Sequence, residues 1–123
     1  MLVQFTGSIP IYEQIMRYIK KEIITGELNG EDKIPSVRDL ADRLSVNPNT
    51  VSRAYQELER EGLTETRRGM GTYIVGDKTM KDRIKKELSQ DLVLDFVEEM
   101  KASGFTAEEI IGFVSERLEK ETL

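Results

Sequence analysis

Hydrophobic residues recur every three or four positions through most of the chain, which is the spacing of amphipathic helices. The first such stripe begins after Ile9-Pro10 and ends at Thr25-Gly26, where glycine is the usual residue just past a helix. Its apolar members, which share one face, are Ile11, Ile15, Tyr18, Ile19 and Ile23. The pattern predicts one helix near the start of the chain, followed by a polar loop over residues 27–33.

Two shorter helices are predicted next, joined by a turn of three or four residues. Ser36 and Asp39 have the spacing of an N-terminal capping box, and the helix they begin runs to Leu44. Asn47-Pro48 starts the second helix, and Gly62 ends it. Their inward residues are Val37, Leu40, Ala41, Leu44, Val51, Ala54, Tyr55 and Leu58. Two short helices with this connection are typical of a helix-turn-helix.

The segment after Gly62 has the pattern of a small hairpin. Residues 63–66 and 72–75 are predicted as short strands on either side of Arg67-Arg68-Gly69-Met70-Gly71, whose glycines permit a tight turn. A hairpin directly behind a helix-turn-helix predicts a winged helix. The expected fold class is therefore mainly α with a small β-hairpin wing.

Two further helices are predicted beyond Gly76-Asp77, over residues 78–102 and 106–121, the second with a full capping box at Thr106 and Glu109. The expected domains are a winged helix-turn-helix over residues 1–76 and a two-helix tail over residues 77–123. Two helices alone cannot bury the large apolar side chains of this tail, so we expect a second copy to pair with it. The candidate dimer-interface residues are Leu88, Leu92, Phe96, Phe113 and Val114.

Composition excludes several classes of function. The 123 residues include no cysteine and no histidine, which rules out disulfides, thiolate metal sites and the commonest general base. No pair of carboxylates has a defined environment, so we expect neither an enzyme nor a metal or cofactor site. No apolar run is long enough to span a membrane, and residues 1–7 lack the pattern of a signal peptide, so the expected location is the cytoplasm.

Net charge is −5, which is unusual for a protein that binds nucleic acid, but its distribution is uneven. Residues 1–76 carry ten basic and eleven acidic side chains, a net of −1, and residues 77–123 carry eight and twelve, a net of −4. The basic residues in the stretch predicted to face DNA are Lys33, Arg38, Arg43, Arg53, Arg67 and Arg68. Local charge, rather than the total, decides phosphate binding.

The second helix of a helix-turn-helix enters the major groove by its N-terminal end. Here the polar side chains of that end, which suit base edges and phosphates, are those of Asn47, Asn49, Thr50, Ser52 and Arg53. The free N–H groups of the first turn also favour a phosphate. The alternative interpretation is that Asn47 only caps the helix and that Asn49 and Thr50 are only solvated.

Two further candidate contacts flank this helix. Ser36 and Arg38 begin the preceding helix, where a phosphate clamp competes with a surface ion pair from Arg38 to Asp42. The predicted wing tip, which suits a phosphate or the minor groove, carries Arg67, Arg68, Gly69 and Gly71. The alternative there is an ordinary exposed turn.

Five separated motifs within residues 9–76 resemble the GntR family of regulators. They are Pro10-Ile11-Tyr12-Glu13-Gln14-Ile15, Ile34-Pro35-Ser36-Val37-Arg38-Asp39-Leu40-Ala41, Val46-Asn47-Pro48-Asn49-Thr50-Val51-Ser52-Arg53-Ala54-Tyr55, Leu58-Glu59-Arg60-Glu61-Gly62-Leu63 and Arg68-Gly69-Met70-Gly71-Thr72-Tyr73-Ile74-Val75. The short tail is similar to that of the YtrA subfamily, whose members pair a winged helix with two helices.

The resemblance implies a homodimer, usually a repressor, on a two-fold symmetric operator in double-stranded DNA. It implies that Arg38 contacts phosphate, that Gly69 lies at the wing, and that the groove is lined by Asn47, Asn49, Thr50 and Ser52. Pro48 and Ser52 stand where some relatives carry arginines that reach guanine, so base readout is expected to differ here. Ser45 occupies a turn position where glycine is common, and a left-handed serine there would be mildly strained.

A protein–protein adaptor that has kept a winged helix without binding DNA is the competing function. The basic cluster favours DNA over the adaptor. Control by a small-molecule effector is left open by the motifs. A two-helix tail has little room for the usual ligand pocket of roughly 300–1,000 Å³, so we expect none.

Overall fold

The computed structural model describes residue 7 and residues 9–122. In chain order its elements are α1 (Ile11–Thr25), α2 (Val37–Leu44), α3 (Pro48–Arg60), β1 (Thr64–Arg67), β2 (Gly71–Ile74), α4 (Lys78–Ala102) and α5 (Ala107–Glu121). The predicted fold class, mainly α with a hairpin wing, is confirmed. Residues 1–6, which hold most of the segment predicted to lack a signal peptide, lie outside the described part. Across the described residues, no helix is both long and apolar enough to cross a membrane.

Two compact units make up the chain, Met1–Lys86 and Glu87–Leu123. The first unit holds the winged helix together with the first turns of α4, because Ile84 is fully buried in its core and Met80 packs against that core. The second unit holds the rest of α4 and all of α5. The winged-helix core thus recruits residues beyond the Gly76-Asp77 break in the sequence pattern.

The first helix packs its predicted stripe into this core, with one exception. Ile15, Ile19 and Ile23 are buried, but Ile11 in the first turn is 41% exposed, so the buried stripe begins one turn later than predicted. Lys20 is also buried, and its ammonium group lies 3.2 Å from Glu61 Oε1. A buried cation needs such a partner, and this pair attaches α1 to the C-terminal end of α3.

The helix-turn-helix is held by the caps that the sequence predicts. Ser36 Oγ accepts the backbone N–H of Asp39 at 3.1 Å. In the turn, Ser45 adopts the left-handed conformation with φ of 55°. The buried Tyr55 hydroxyl on α3 donates to the carbonyl of Pro35 at 2.7 Å, just before the α2 cap. Burial raises the pKa of Tyr55, so the hydroxyl keeps its proton and this link at neutral pH.

The wing pairs Thr64 with Ile74 and Arg67 with Gly71 in antiparallel register. The strands therefore lie one residue nearer the turn than predicted. Residues 31–34 also extend this sheet along β2, because Ile34 N–H donates to Thr72 O at 2.9 Å and Ile74 N–H donates to Asp32 O at 2.8 Å. The predicted loop over residues 27–33 is wrong for residues 31–33, which pair with β2. The burial of the next residue, Ile34, holds this segment against the hairpin.

The second unit buries few of its large apolar side chains. Leu88 and Ile110 are 5% and 7% exposed, and the Phe105 and Phe113 rings meet edge to face with centroids 5.7 Å apart. The predicted capping box of Thr106 and Glu109 is present at the start of α5. Within the described part of this unit, the exposed large apolar residues are Leu92, Val93, Leu94, Phe96, Phe105, Ile111, Phe113, Val114 and Leu118.

Candidate DNA-binding surface

The N-terminal end of α3 presents a short polar surface. Asn47, Asn49 and Arg53 are exposed, while Thr50 and Ser52 are half-buried. Asn47 is the N-cap, and its Oδ1 accepts the N–H of Asn49 at 2.8 Å. Its side-chain amide group remains a donor, so capping does not prevent a further contact with a base or phosphate.

The backbone N–H groups of this turn are less available than the sequence suggests. Pro48 has no N–H, the Asn49 N–H is taken by the cap, and the Thr50 N–H donates to Asn47 O at 2.9 Å. An anion at this end would therefore meet side chains rather than free backbone donors. The candidate surface consists of amide, hydroxyl and guanidinium groups.

Arg53 lies against an aromatic ring that is distant from it in the sequence. Its Cζ atom lies 3.9 Å from the centroid of the Tyr12 ring, in the first turn of α1. The Tyr12 hydroxyl donates to Glu13 Oε1 at 3.3 Å. The two residues are 41 positions apart, so only the packing of α1 against α3 brings them together.

The start of α2 supplies a second cation. Arg38 is exposed, and no ion pair to Asp42 forms among the residues that the structure describes. The competing interpretation of Arg38 as half of a surface pair is therefore not realised in this conformation. Ser36 serves as the helix cap, and its hydroxyl hydrogen is still available as a donor.

The two wing arginines differ in their surroundings. Arg67 donates to Glu31 Oε2 at 2.6 Å and to Glu65 Oε1 at 2.7 Å, and its Cζ atom lies 4.3 Å from the centroid of the Tyr73 ring. Hydrogen bonds to Glu31 and then Glu65 raise the pKa of Arg67. Arg68 is exposed, and over residues 9–122 it has no acidic partner. Arg68 is therefore the accessible positive charge of the wing.

Glycine is required at the wing turn. Gly69 has φ of 76° and Gly71 has φ of 114°, a region that other residues rarely adopt. A Cβ atom at Gly71 would also lie only 2.6 Å from Lys33 Cε. The positive φ angles of these two glycines thus set the shape of the wing turn.

The predicted tail residues are placed unequally. Leu88 is buried within the single chain, whereas Leu92, Phe96, Phe113 and Val114 are between 37% and 47% exposed. The tail also has more room than the sequence predicts, because a groove between α4 and α5 has a volume of about 350 Å³. The groove is lined by Phe96, Met100, Phe113, Val114, Arg117 and Leu118. Leu88 consequently offers little surface to a partner, and the groove offers more.

Three residues that shape the surface, Glu65, Tyr12 and Glu31, are not indicated as such by the sequence analysis, for different reasons. Glu65 lies two positions before Arg67 on the same strand, so the two side chains share a face, and that spacing was a usable signal. Tyr12 and Glu31 carry no such signal, because each meets its arginine only through the fold. Lys33 is one of the predicted basic residues, and its close approach to Gly71 likewise depends on the fold.

Comparison with known proteins identifies the chain's relatives. Residues 11–74 match the family described as "Bacterial regulatory proteins, gntR family". The chain is 44% identical over 108 residues to the uncharacterized HTH-type transcriptional regulator YhcF of Bacillus subtilis (strain 168), covering 88% of this chain and 89% of YhcF. It is 50% identical over 98 residues to the HTH-type transcriptional repressor YtrA of the same strain, covering 72% of each.

Solved structures show the same architecture. A GntR family transcriptional regulator from Listeria monocytogenes matches with a TM-score of 0.74 at 42% identity, covering 91% of this chain and 98% of that chain. The DNA-binding domain of AraR in complex with operator ORX1 matches with a TM-score of 0.57 at 28% identity, covering 61% and 96%. The chain therefore belongs to the GntR family of bacterial regulatory proteins, among its YtrA-like members, which are DNA-binding transcription regulators and not enzymes.

Proposed function

We propose that this regulator represses transcription as a homodimer that binds a two-fold symmetric operator. The observation that carries the dimer is the apolar surface of residues 87–122, where nine large side chains stay exposed in a single chain. Four of them, Phe96, Phe113, Val114 and Leu118, line one groove, and an exposed apolar patch of this kind marks an interaction site. A dimer seated on an operator that overlaps a promoter would exclude RNA polymerase.

The groove between α4 and α5 is the proposed seat of the second copy. It is lined almost entirely by apolar side chains, and its one charged residue, Arg117, is already paired with Glu121 at 3.2 Å. Such a groove fits the apolar face of another helix better than a polar metabolite. Leu92, Phe96, Phe113 and Val114 would be covered by the partner's equivalent helices, and Leu88 would contribute from within each protomer.

The proposed DNA contacts come from three places in the winged helix. Arg38 at the start of α2 and Arg68 at the wing have no acidic partner in the described part of the chain, and their charges are suited to phosphates. Asn49 and Arg53 lie one helical turn apart on the exposed face of α3 and are suited to base edges. Supporting and shaping roles, with secondary contacts to DNA, fall to Ser36, Asn47, Thr50, Ser52, Arg67, Gly69 and Gly71.

This division assigns DNA reading to residues 1–76 and pairing to the tail over residues 77–123, whose first turns also complete the winged-helix core. A symmetric dimer sets its two recognition helices about 34 Å apart, one turn of DNA, so each reads one half-site. The operator-bound AraR domain, which resembles the winged helix here, supports the first assignment. The exposed apolar groove supports the second.

Arginine-to-alanine substitutions test the proposed contacts. We expect Arg38→Ala and Arg53→Ala each to weaken binding to the chain's own upstream DNA about tenfold, because each removes a charged contact worth about 1–3 kcal/mol. Fluorescence anisotropy with a labelled duplex measures the affinity. Arg60→Ala is the matched control, since Arg60 lies at the far end of α3 and is paired with Glu57. Equal affinity for wild type and both variants would overturn the assignment of these residues.

A further inference from the structure

The stacking of Arg53 on Tyr12 is an interaction that DNA binding alone does not explain. We propose that Tyr12 is a positioning residue of the DNA interface, whose ring holds the Arg53 guanidinium in the orientation in which it meets DNA. This inference rests on the proposed function, because it assumes that Arg53 contacts DNA. It adds the first turn of α1 to a surface otherwise built from α2, α3 and the wing.

The geometry leaves the charge of Arg53 available. Its Cζ atom lies 3.9 Å from the Tyr12 ring centroid, a distance at which the flat face of the guanidinium covers the ring. Stacking engages the face and leaves the N–H donors at the edge of the group free. Among the described residues Arg53 has no acidic partner, so neither its charge nor its donors are neutralised.

The platform beneath the guanidinium is fixed. Tyr12 is half-buried and packs against the winged-helix core, while Arg53 is exposed on α3. Arg53 is the only basic residue in the first two turns of α3, and it lies on the same exposed face as Asn49. A free arginine loses much of its side-chain freedom when it binds, whereas a stacked one has already lost part of it.

The interaction depends on the ring rather than on the hydroxyl group. The hydroxyl donates to Glu13 Oε1 at 3.3 Å and is not part of the stacking contact. Phenylalanine would retain the stacking surface, and an aliphatic side chain would remove it. A direct hydrogen bond from the Tyr12 hydroxyl to DNA would be lost in both, so the two substitutions separate positioning from direct contact.

The experiment measures binding of the full chain to its operator duplex by anisotropy. Tyr12→Leu and Tyr12→Met are expected to weaken binding about two- to fivefold, the range of a cation–π contact at an exposed site. Tyr12→Phe is expected to bind within about twofold of wild type. In an Arg53→Ala background, Tyr12→Leu should cause no further loss, because there is no guanidinium left to position.

A second cycle is the control for a general structural effect. In an Arg38→Ala background Tyr12→Leu should cause the same loss as in wild type, since Arg38 lies on α2 and is not stacked on this ring. Equal losses in the Arg53→Ala and wild-type backgrounds would overturn the proposal and leave the DNA-binding function intact. If Arg53→Ala itself has no effect, the proposed DNA contact of Arg53 fails first, and the positioning role fails with it.

A measurement on the free wild-type chain keeps the proposal testable even if the aliphatic variants fail to fold. The Tyr12 ring current should shift the δ protons of Arg53 upfield in the proton NMR spectrum. The shift should remain in Tyr12→Phe. An Arg53 δ-proton shift at the ordinary position in wild type would overturn the proposal.

Discussion

Phe113→Asp is expected to prevent formation of the proposed dimer and to weaken operator binding by at least about a hundredfold. Phe113 is 47% exposed and lines the groove assigned to the second copy. An aspartate there would bury an unpaired charge in an apolar interface, which costs more than the interface can offset. Without the dimer, each winged helix binds one half-site alone, and the gain in affinity that comes from linking two DNA-binding domains is lost. Sedimentation and anisotropy measure the two effects.

Ser115→Asp is the matched control for this substitution. It places the same charge on α5, at an exposed position that does not line the groove. We expect it to remain dimeric and to bind DNA as the wild type does. A dimeric Phe113→Asp chain with unchanged affinity would show that the groove is not the interface.

Ile84→Ala is expected to lower the free energy of unfolding of the winged-helix unit by about 2–5 kcal/mol. Ile84 is fully buried and belongs to the core cluster of this unit, although it lies on α4 beyond the hairpin. Removing its side chain leaves a cavity in the middle of a small core. Since a domain of this size has only about 5–15 kcal/mol of stability, the melting temperature should drop by roughly 10 °C or more. Calorimetry or circular dichroism measures the drop.

Lys85→Ala provides the comparison for Ile84→Ala, because Lys85 is the next residue on α4 and is exposed. Its stability should stay within about 0.5 kcal/mol of wild type. If both variants melt at the wild-type temperature, the start of α4 does not stabilise the winged helix. In that case a fragment ending at residue 76 should fold as well as one ending at residue 86.

Local signals were sufficient to predict most of the fold. The caps at Ser36, Asn47 and Thr106 each depend on residues within three positions, and all three accept the predicted kind of backbone hydrogen bond. Features of this range can be inferred from sequence because the interacting groups are neighbours along the chain. The geometry of the turn at Ser45 was left open by the sequence, and the structure gives this serine a left-handed φ of 55°.

Long-range packing was not predictable in the same way. The extension of the sheet by residues 31–34, the burial of Ile84 and the pairing of Arg67 with Glu31 all join segments far apart in sequence. Nothing in the spacing of residues announces them. The last of these changes the candidate site, because Glu31, together with Glu65, neutralises Arg67 and leaves Arg68 as the accessible arginine of the wing.

The electrostatic interpretation is sharpened by these contacts. The sequence places six basic residues in the stretch predicted to face DNA, but a positive charge attracts phosphate only where no carboxylate holds it. Arg67 is held by two carboxylates, whereas Arg38, Arg53 and Arg68 are exposed without an acidic partner in the part of the chain that the structure describes. We therefore expect three arginines per protomer to provide most of the salt-dependent affinity.

The salt dependence of binding to a symmetric operator tests the central claim most directly. Anisotropy titrations would compare a two-fold symmetric duplex from the upstream region with a scrambled duplex over a series of salt concentrations. The account predicts two chains bound per symmetric duplex, an affinity at least about 10³-fold above the scrambled duplex, and a linear fall of log affinity with log salt. Equal affinity for both duplexes would contradict the claim of sequence-specific binding. Binding that ignores salt, or no binding to either duplex, would contradict DNA binding itself and favour a protein–protein adaptor.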